Sequence, residues 1–248
     1  MNGISIFMYH QVGNFPRMRT HRASYCDVRR FRGQMRALKW LGVEVLSMTD
    51  AARALRGEIP IPPRAAVLTF DDGCRNFFDH ALPVLEEHGF PAIVYAIAGM
   101  VGGRADWLSA VGHDAAPLMT WVELQEIQRR GIEIGSHSLH HVRLGDQDRI
   151  VQEAELRESK ALLQDKLGTE ITHICYPYGS VGIETLQVAA SAGYETGVTC
   201  QRGKATPAFD LLALPRKAIS YGDNTLGFAW KLFMKDRPKR DALRRGQT

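Results

Sequence analysis

Cysteine is scarce. The 248 residues hold four, Cys26, Cys74, Cys175 and Cys200, none of them in a C-x-x-C spacing, so a zinc ribbon is excluded and a disulfide framework is not expected. They read as small buried hydrophobes. Long apolar runs are missing too. The longest weakly polar stretch, Pro91 to Gly103, falls short of the roughly 20 residues that span a bilayer, so no transmembrane segment is expected. The opening Met1-Asn2-Gly3-Ile4-Ser5-Ile6-Phe7-Met8 has neither the basic nor the apolar region of a secretory signal. The chain as written reads as cytoplasmic, with export of a longer precursor compatible with the same residues. No Pro/Gly/Ser linker interrupts it, which points to one domain over residues 1–230.

What is present is ordinary: 45% hydrophobic and 23% charged residues, a composition that excludes disorder and collagen-like repeats. The net charge of +4 is uneven. Residues 231–248 carry seven Lys or Arg against Asp236 and Asp241, a balance of +5 that leaves −1 for the rest. This basic C-terminal tail lacks interleaved aromatics beyond Phe233, so no nucleic-acid partner is expected. It reads as a solvated end or as a surface contact. A second cluster, Arg17 to Arg36, reads as a solvated helix face or as the lining of a groove.

A helical stretch, a terminating glycine and a β-prone run recur at Gly42, Gly89, Gly131, Gly168 and Gly193. Glycine suits the left-handed residue that ends many helices. Thr120-Trp121-Val122-Glu123 reads as a capping box, Thr49-Asp50 as a cap before Arg56, and Asp148 to Leu167 as the longest helix, with Glu153 and Arg157 paired on its wet side. Seven strands are expected: Ile4–Tyr9, Ala65–Phe70, Ala92–Ile97, Ile132–Gly135, Thr172–Tyr176, Gly197–Cys200 and about Leu214–Ile219. Strands alternating with helices imply a parallel sheet. The fold class is α/β and barrel-like, one strand short of a regular eight-stranded barrel.

In such folds chemistry gathers at the C-terminal strand ends, and the polar motifs fall there. The first strand runs into His10, the second into Asp71-Asp72-Gly73, the fourth into His137-Ser138-Leu139-His140-His141, the fifth into Pro177-Tyr178-Gly179. Adjacent carboxylates repel unless a cation or a shared proton relieves them. His137 and His141, with His140 as a competitor, are spaced to close on one ion. Two His and a carboxylate leave the open position of a catalytic metal site.

Thr69-Phe70-Asp71-Asp72-Gly73 followed by His137-Ser138-Leu139-His140-His141 resembles the two central motifs, T-F-D-D-G and H-[ST]-x-x-H, of the NodB-homology polysaccharide deacetylases, the fourth carbohydrate esterase family. The resemblance runs from about Ile4 to Ile219. It implies a distorted (β/α)7-type barrel and one divalent metal ion, Zn²⁺ first with Co²⁺, Ni²⁺ or Mn²⁺ as substitutes. It implies Asp71 as catalytic base, Asp72, His137 and His141 as metal ligands, and His140 as loop packing. The family's R-x-P-Y motif falls on Cys175-Tyr176-Pro177-Tyr178. Tyr178 then offers its backbone N–H to the oxyanion, while Cys175 stands where an Arg would steady the base. The L-x-I-H motif that brings the general acid is absent: Leu212-Ala213-Leu214-Pro215-Arg216 is the nearest run, and no His follows His173.

Met8-Tyr9-His10-Gln11-Val12 and Pro215-Arg216 are similar to the poly-N-acetylglucosamine deacetylase branch. His10 is the candidate acid. Arg216, expected at the C-terminal end of the last strand, is the candidate partner for Asp71. The implied reaction is hydrolysis of the acetamide of an N-acetylated amino sugar, in a polysaccharide or its precursor. Two alternatives use the same residues: hydrolysis of a non-sugar amide, and a carbohydrate-binding pseudoenzyme that keeps its metal.

Overall fold

A computed structural model describes residues 3–234, 236–237 and 242–245. Seven strands close into a parallel barrel: β1 (Ile4–Tyr9), β5 (Ala65–Phe70), β6 (Ile93–Ala96), β7 (Glu133–Ser136), β8 (His173–Cys175), β9 (Thr196–Arg202) and β10 (Leu214–Ala218). β10 pairs back onto β1, and β1 pairs with β5 along its whole length, from Ile4↔Ala65 to Tyr9↔Phe70. All seven strands read from the sequence are there. An eighth, β4 (Glu44–Val45), lies against the first two residues of β5, while β6 pairs with its last two. Because β1 pairs directly with β5, the ring closes with seven strands, and this short strand is an addition at the start of β5 rather than a member of the ring. It follows Gly42, but two residues carry no periodicity to read.

Both faces of the barrel wall are buried, as parallel strands require. Alternate residues, among them Ile4, Ile6, Val67, Tyr95 and Leu214, fill the interior. Their neighbours, including Phe7, Leu68, Val94 and Ile174, pack beneath the helices. The helices are α1 (Val28–Trp40), α2 (Met48–Arg56), α3 (Leu82–His88), α4 (Trp121–Arg129), α5 (Arg149–Leu167), α6 (Ile183–Ser191) and α7 (Thr225–Met234). Gly42, Gly89, Gly131, Gly168 and Gly193 all have positive φ, from 62° to 83°. The Thr120–Glu123 capping box is formed, and Asp148 caps α5.

Two local readings change. The cap of α2 is Ser47, whose Oγ accepts from Asp50 N–H at 3.0 Å, so Thr49 and Asp50 already lie inside the helix. Glu153 pairs with Arg149 at 2.9 Å, one turn before the expected Arg157. The arginines of α1 behave as a helix face, with Arg29, Arg32 and Arg36 exposed.

The two remaining strands, β2 (Gln11–Gly13) and β3 (Tyr25–Asp27), form a small parallel sheet of their own. His10 is the single residue between β1 and β2. At the other end of the chain, α7 runs across the expected boundary at residue 230. Lys231 pairs with Asp223, and Arg245 with Asp210 at 2.9 Å. Lys235, Lys239, Arg240 and Asp241 of the tail lie outside the described residues. No helix among the described residues is long and apolar enough to cross a membrane. Cys26, Cys74 and Cys175 are buried and Cys200 is exposed, all as free thiols.

Candidate active site

The polar strand ends meet in one buried pit with two halves. The first half is built inside the barrel. Arg216 is the third residue of β10, not its end, and strand alternation after Leu214 points it inward, where it is 1% exposed. Its guanidinium grips Asp71 with two bonds, Nη1 to Oδ1 at 2.7 Å and Nη2 to Oδ2 at 2.8 Å. The rest of the fork is spoken for as well. Nε donates to the Thr199 carbonyl at 2.9 Å, Nη1 also reaches Thr69 Oγ1 at 3.0 Å, and Nη2 touches Cys175 Sγ at 3.2 Å. A planar fork matched to a carboxylate is the strong form of such a pair. Cys175 therefore leaves space for a guanidinium that arrives from β10 instead of from β8.

Burial opposes charge on Asp71, but the neighbouring Arg216 outweighs it and holds the carboxyl well below the usual carboxylate range. Asp71 is ionised at neutral pH. His10 Nε2 stands 3.8 Å from Asp71 Oδ2, at the rim, and its Nδ1 is buried without a hydrogen-bond partner.

The second half hangs on loops beyond the strand ends. Asp72 Oδ1 is faced by His137 Nε2 at 3.3 Å and His141 Nε2 at 3.5 Å, all three side chains being buried. His137 donates through Nδ1 to the Cys175 carbonyl at 2.7 Å, which turns Nε2 toward Asp72. Burial, and then the nearby His137, push His141 down to about 3, so its ring is neutral and its nitrogen lone pair is available. Two imidazole nitrogens aimed at one carboxylate oxygen are drawn together by positive charge. A proton on His137, whose pKa the nearby Cys175 and Asp72 raise against the cost of burial, or a metal ion supplies it. A tetrahedral ion with bonds of about 2.1 Å separates its ligands by about 3.4 Å, and the spacings seen here match. The residues fit a divalent metal. Asp71, His137 and Cys175 form a second cluster of possible ligands, but both Asp71 oxygens are already occupied by Arg216.

Backbone strain gathers in this half. Among the described residues, five non-glycine residues have positive φ, and four are here: Asp72 (72°), Ser138 (63°), His141 (59°) and Tyr178 (59°). Such conformations cost about 1–3 kcal/mol each and persist where the surroundings over-determine them. Ser138 Oγ accepts from His141 N–H at 3.0 Å. Glu155 of α5, 5% exposed, accepts from the N–H groups of Leu139 and His140, each at 2.9 Å, and from His140 Nδ1 at 2.7 Å. His140 thus turns away from the ligand cluster and ties its loop to α5.

Aromatic rings line the mouth. Trp107 lies 4.3 Å from the His141 ring, Tyr178 lies 4.6 Å from it, and the Arg143 guanidinium covers Tyr178 at 4.5 Å. Trp107, Arg143, Glu155 and Thr199 were not read from the sequence. Glu155 sits fourteen residues beyond His141 in a charged helix, and Trp107 lies in a Gly-rich loop with no motif around it. Neither carries a local signal.

The family model for polysaccharide deacetylase matches residues 59–197. The chain belongs to that family, whose members are carbohydrate deacetylases. The match takes in Asp71, Asp72, His137, His141 and Tyr178 and leaves out His10 and Arg216. YxkH of Bacillus subtilis, a polysaccharide deacetylase by name, is 27% identical over 219 residues, covering 88% of this chain and 72% of YxkH. The poly-β-1,6-N-acetyl-D-glucosamine N-deacetylase of Escherichia coli is 26% identical over 232 residues. That match takes in 81% of this chain and only 34% of the longer E. coli protein. Among solved structures, the Streptococcus pyogenes deacetylase PplD, in complex with acetate, superposes with a TM-score of 0.80 at 28% identity. It covers 93% of this chain and 98% of PplD. The closed seven-stranded barrel is the fold these deacetylases share.

Proposed function

We propose that the protein removes acetyl groups from an N-acetylated amino sugar, in a polysaccharide or its precursor, with a divalent metal held by Asp72, His137 and His141. One observation carries this reading: a carboxylate kept ionised by a buried Arg216 stands directly beside a three-ligand cluster at the C-terminal strand ends. When bound, a divalent ion there supplies Lewis-acid polarisation of the acetamide carbonyl and lowers the pKa of water. Zn²⁺ suits the two-imidazole, one-carboxylate set best, with Co²⁺, Ni²⁺ or Mn²⁺ able to replace it.

The chain's own groups do the rest. Asp71 takes a proton from the attacking water, a general-base step typically worth about 10²–10⁴-fold. Arg216 fixes the orientation of that carboxylate and keeps its charge. The Tyr178 N–H, displayed by a left-handed backbone, stabilises the oxyanion of the tetrahedral intermediate. His10, at the rim beside Asp71, gives a proton to the departing amine. Trp107, beside His141 at the mouth, offers an aromatic ring against which a sugar can rest. The pseudoenzyme alternative drew on the missing motif arginine and the missing motif histidine; the Asp71–Arg216 pair answers the first, and His10 beside Asp71 is the residue proposed to answer the second. The non-sugar amide loses ground to relatives whose names specify polysaccharide or poly-N-acetylglucosamine deacetylation.

The test is acetate release from β-1,6- and β-1,4-linked N-acetylglucosamine oligomers by metal-stripped and metal-loaded protein. Release that stops with a chelator and returns with Zn²⁺ or Co²⁺ is expected. Turnover indifferent to chelation, or confined to non-sugar amides, overturns the reading.

A further inference from the structure

One helix is apolar on both sides. α7 buries Phe228 and Leu232 against the barrel, Phe228 lying over Phe7 with ring centroids 4.6 Å apart. Its outer side carries Leu226, Trp230, Phe233 and Met234, which are 80%, 56%, 46% and 59% exposed. Steps of four, three and one residues put all four on a single stripe, where a surface helix normally displays charge. A contiguous exposed stripe of large apolar side chains marks a contact surface. Trp40 extends it. A Cβ on Gly33 of α1 would stand 3.0 Å from Thr225 Oγ1 of α7, so this side of α1 faces α7. Trp40 lies seven residues further along the same side and is 85% exposed.

Cations neighbour the stripe in the sequence. Arg36 and Lys39 are exposed just before Trp40. Residues 231–248 hold seven Lys or Arg against two Asp; of the described ones, Lys231 and Arg245 are paired with Asp223 and Asp210, and Asp236 with Lys217, while Arg237 and Arg244 are exposed. A second copy of the chain docking through this stripe would bring two basic segments together, which like-charge repulsion opposes. An anionic surface complements them. Tryptophan and phenylalanine beside Lys and Arg is the composition of a helix that lies in the headgroup layer of a bilayer.

We propose that the outer face of α7, together with Trp40, docks the protein peripherally on an anionic lipid surface. α7 lies along the side of the barrel, so this docking leaves the mouth at the C-terminal strand ends uncovered. None of the residues involved belongs to the pit.

The experiment is co-sedimentation of the full chain with vesicles of phosphatidylcholine alone and of phosphatidylcholine mixed with phosphatidylglycerol, at low and high salt, with tryptophan emission recorded. Binding to the anionic vesicles only, a blue shift on binding, and weakening by salt are expected. The double variant W230S/F233S, altered only at exposed positions, is expected to bind about tenfold or more weakly with an unchanged circular dichroism spectrum and unchanged acetate release from a soluble oligomer. Three outcomes overturn the proposal: equal binding to both vesicle types, no binding to either, or a concentration-dependent dimer in sedimentation velocity that W230S/F233S abolishes.

Discussion

The two halves of the pit hold neighbouring residues by opposite means. Asp71 is fixed from within the barrel by Arg216, a side chain that makes five contacts with groups on β5, β8 and β9 and with Asp71 itself, all on unstrained backbone. Asp72 and its two histidines stand on loops where Asp72, Ser138 and His141 have left-handed backbone, tied down by Ser138 and Glu155. The first half needs one charge at one place, and a rigid wall delivers it. The second must aim three donor atoms at a common point, which straight strands cannot do, so the backbone bends and neighbouring side chains hold the bend.

The comparison breaks most visibly at Asp71. Asp71→Asn is expected to cut acetate release by about 10²–10⁴-fold, since it removes the base and leaves the loop half intact. Retained turnover would mean that Asp71 only anchors Arg216. Arg216→Ala comes next. Deleting one member of a buried ion pair costs about 3–5 kcal/mol of stability, read as a lower urea midpoint. The pH dependence has a definite sign. The Asp71 carboxyl is depressed in the folded state, so the pair's contribution is complete above about pH 4 and is lost as pH falls through the lower folded value. Wild-type stability should therefore fall more steeply than that of Arg216→Ala below about pH 4. Parallel curves would show that the pair does not set the Asp71 ionisation.

Glu155→Gln tests the loop half. It keeps an acceptor but loses the charge that gathers three donors, and metal affinity is expected to drop about tenfold, at the low end for supporting hydrogen bonds. Calorimetric titration with Zn²⁺ reads this directly, and an unchanged affinity would make Glu155 a packing residue. Cys175→Ala is the smallest change. It removes one Sγ contact while Arg216 keeps both bonds to Asp71, so melting and turnover should stay close to wild type.

The strands and the gathering of polar residues at their ends were legible because each depends on local pattern. Apolar runs ending in Asp71-Asp72-Gly73 or in the His137–His141 segment announce both the strand and the polar cluster at its end. Arg216 could be named from the absence of an arginine at Cys175, although its place within β10 rather than at its end emerges only from strand alternation. The features that stayed hidden are non-local. Glu155 reaches the 137–141 loop from the next helix, Trp107 arrives from the loop after β6, and β4 has too few residues to show a period. The left-handed backbone of Asp72, Ser138, His141 and Tyr178 is also unmarked, because none of them is glycine.

Metal content of the two aspartate variants tests the division of labour most directly. Purified Asp71→Asn and Asp72→Asn, each stripped and reloaded with Zn²⁺, would be assayed for bound zinc beside the wild type. The expected result is zinc close to one per chain in Asp71→Asn, where both histidines and Asp72 are untouched, and little or none in Asp72→Asn. Zinc lost from Asp71→Asn and kept by Asp72→Asn would contradict the assignment of both halves.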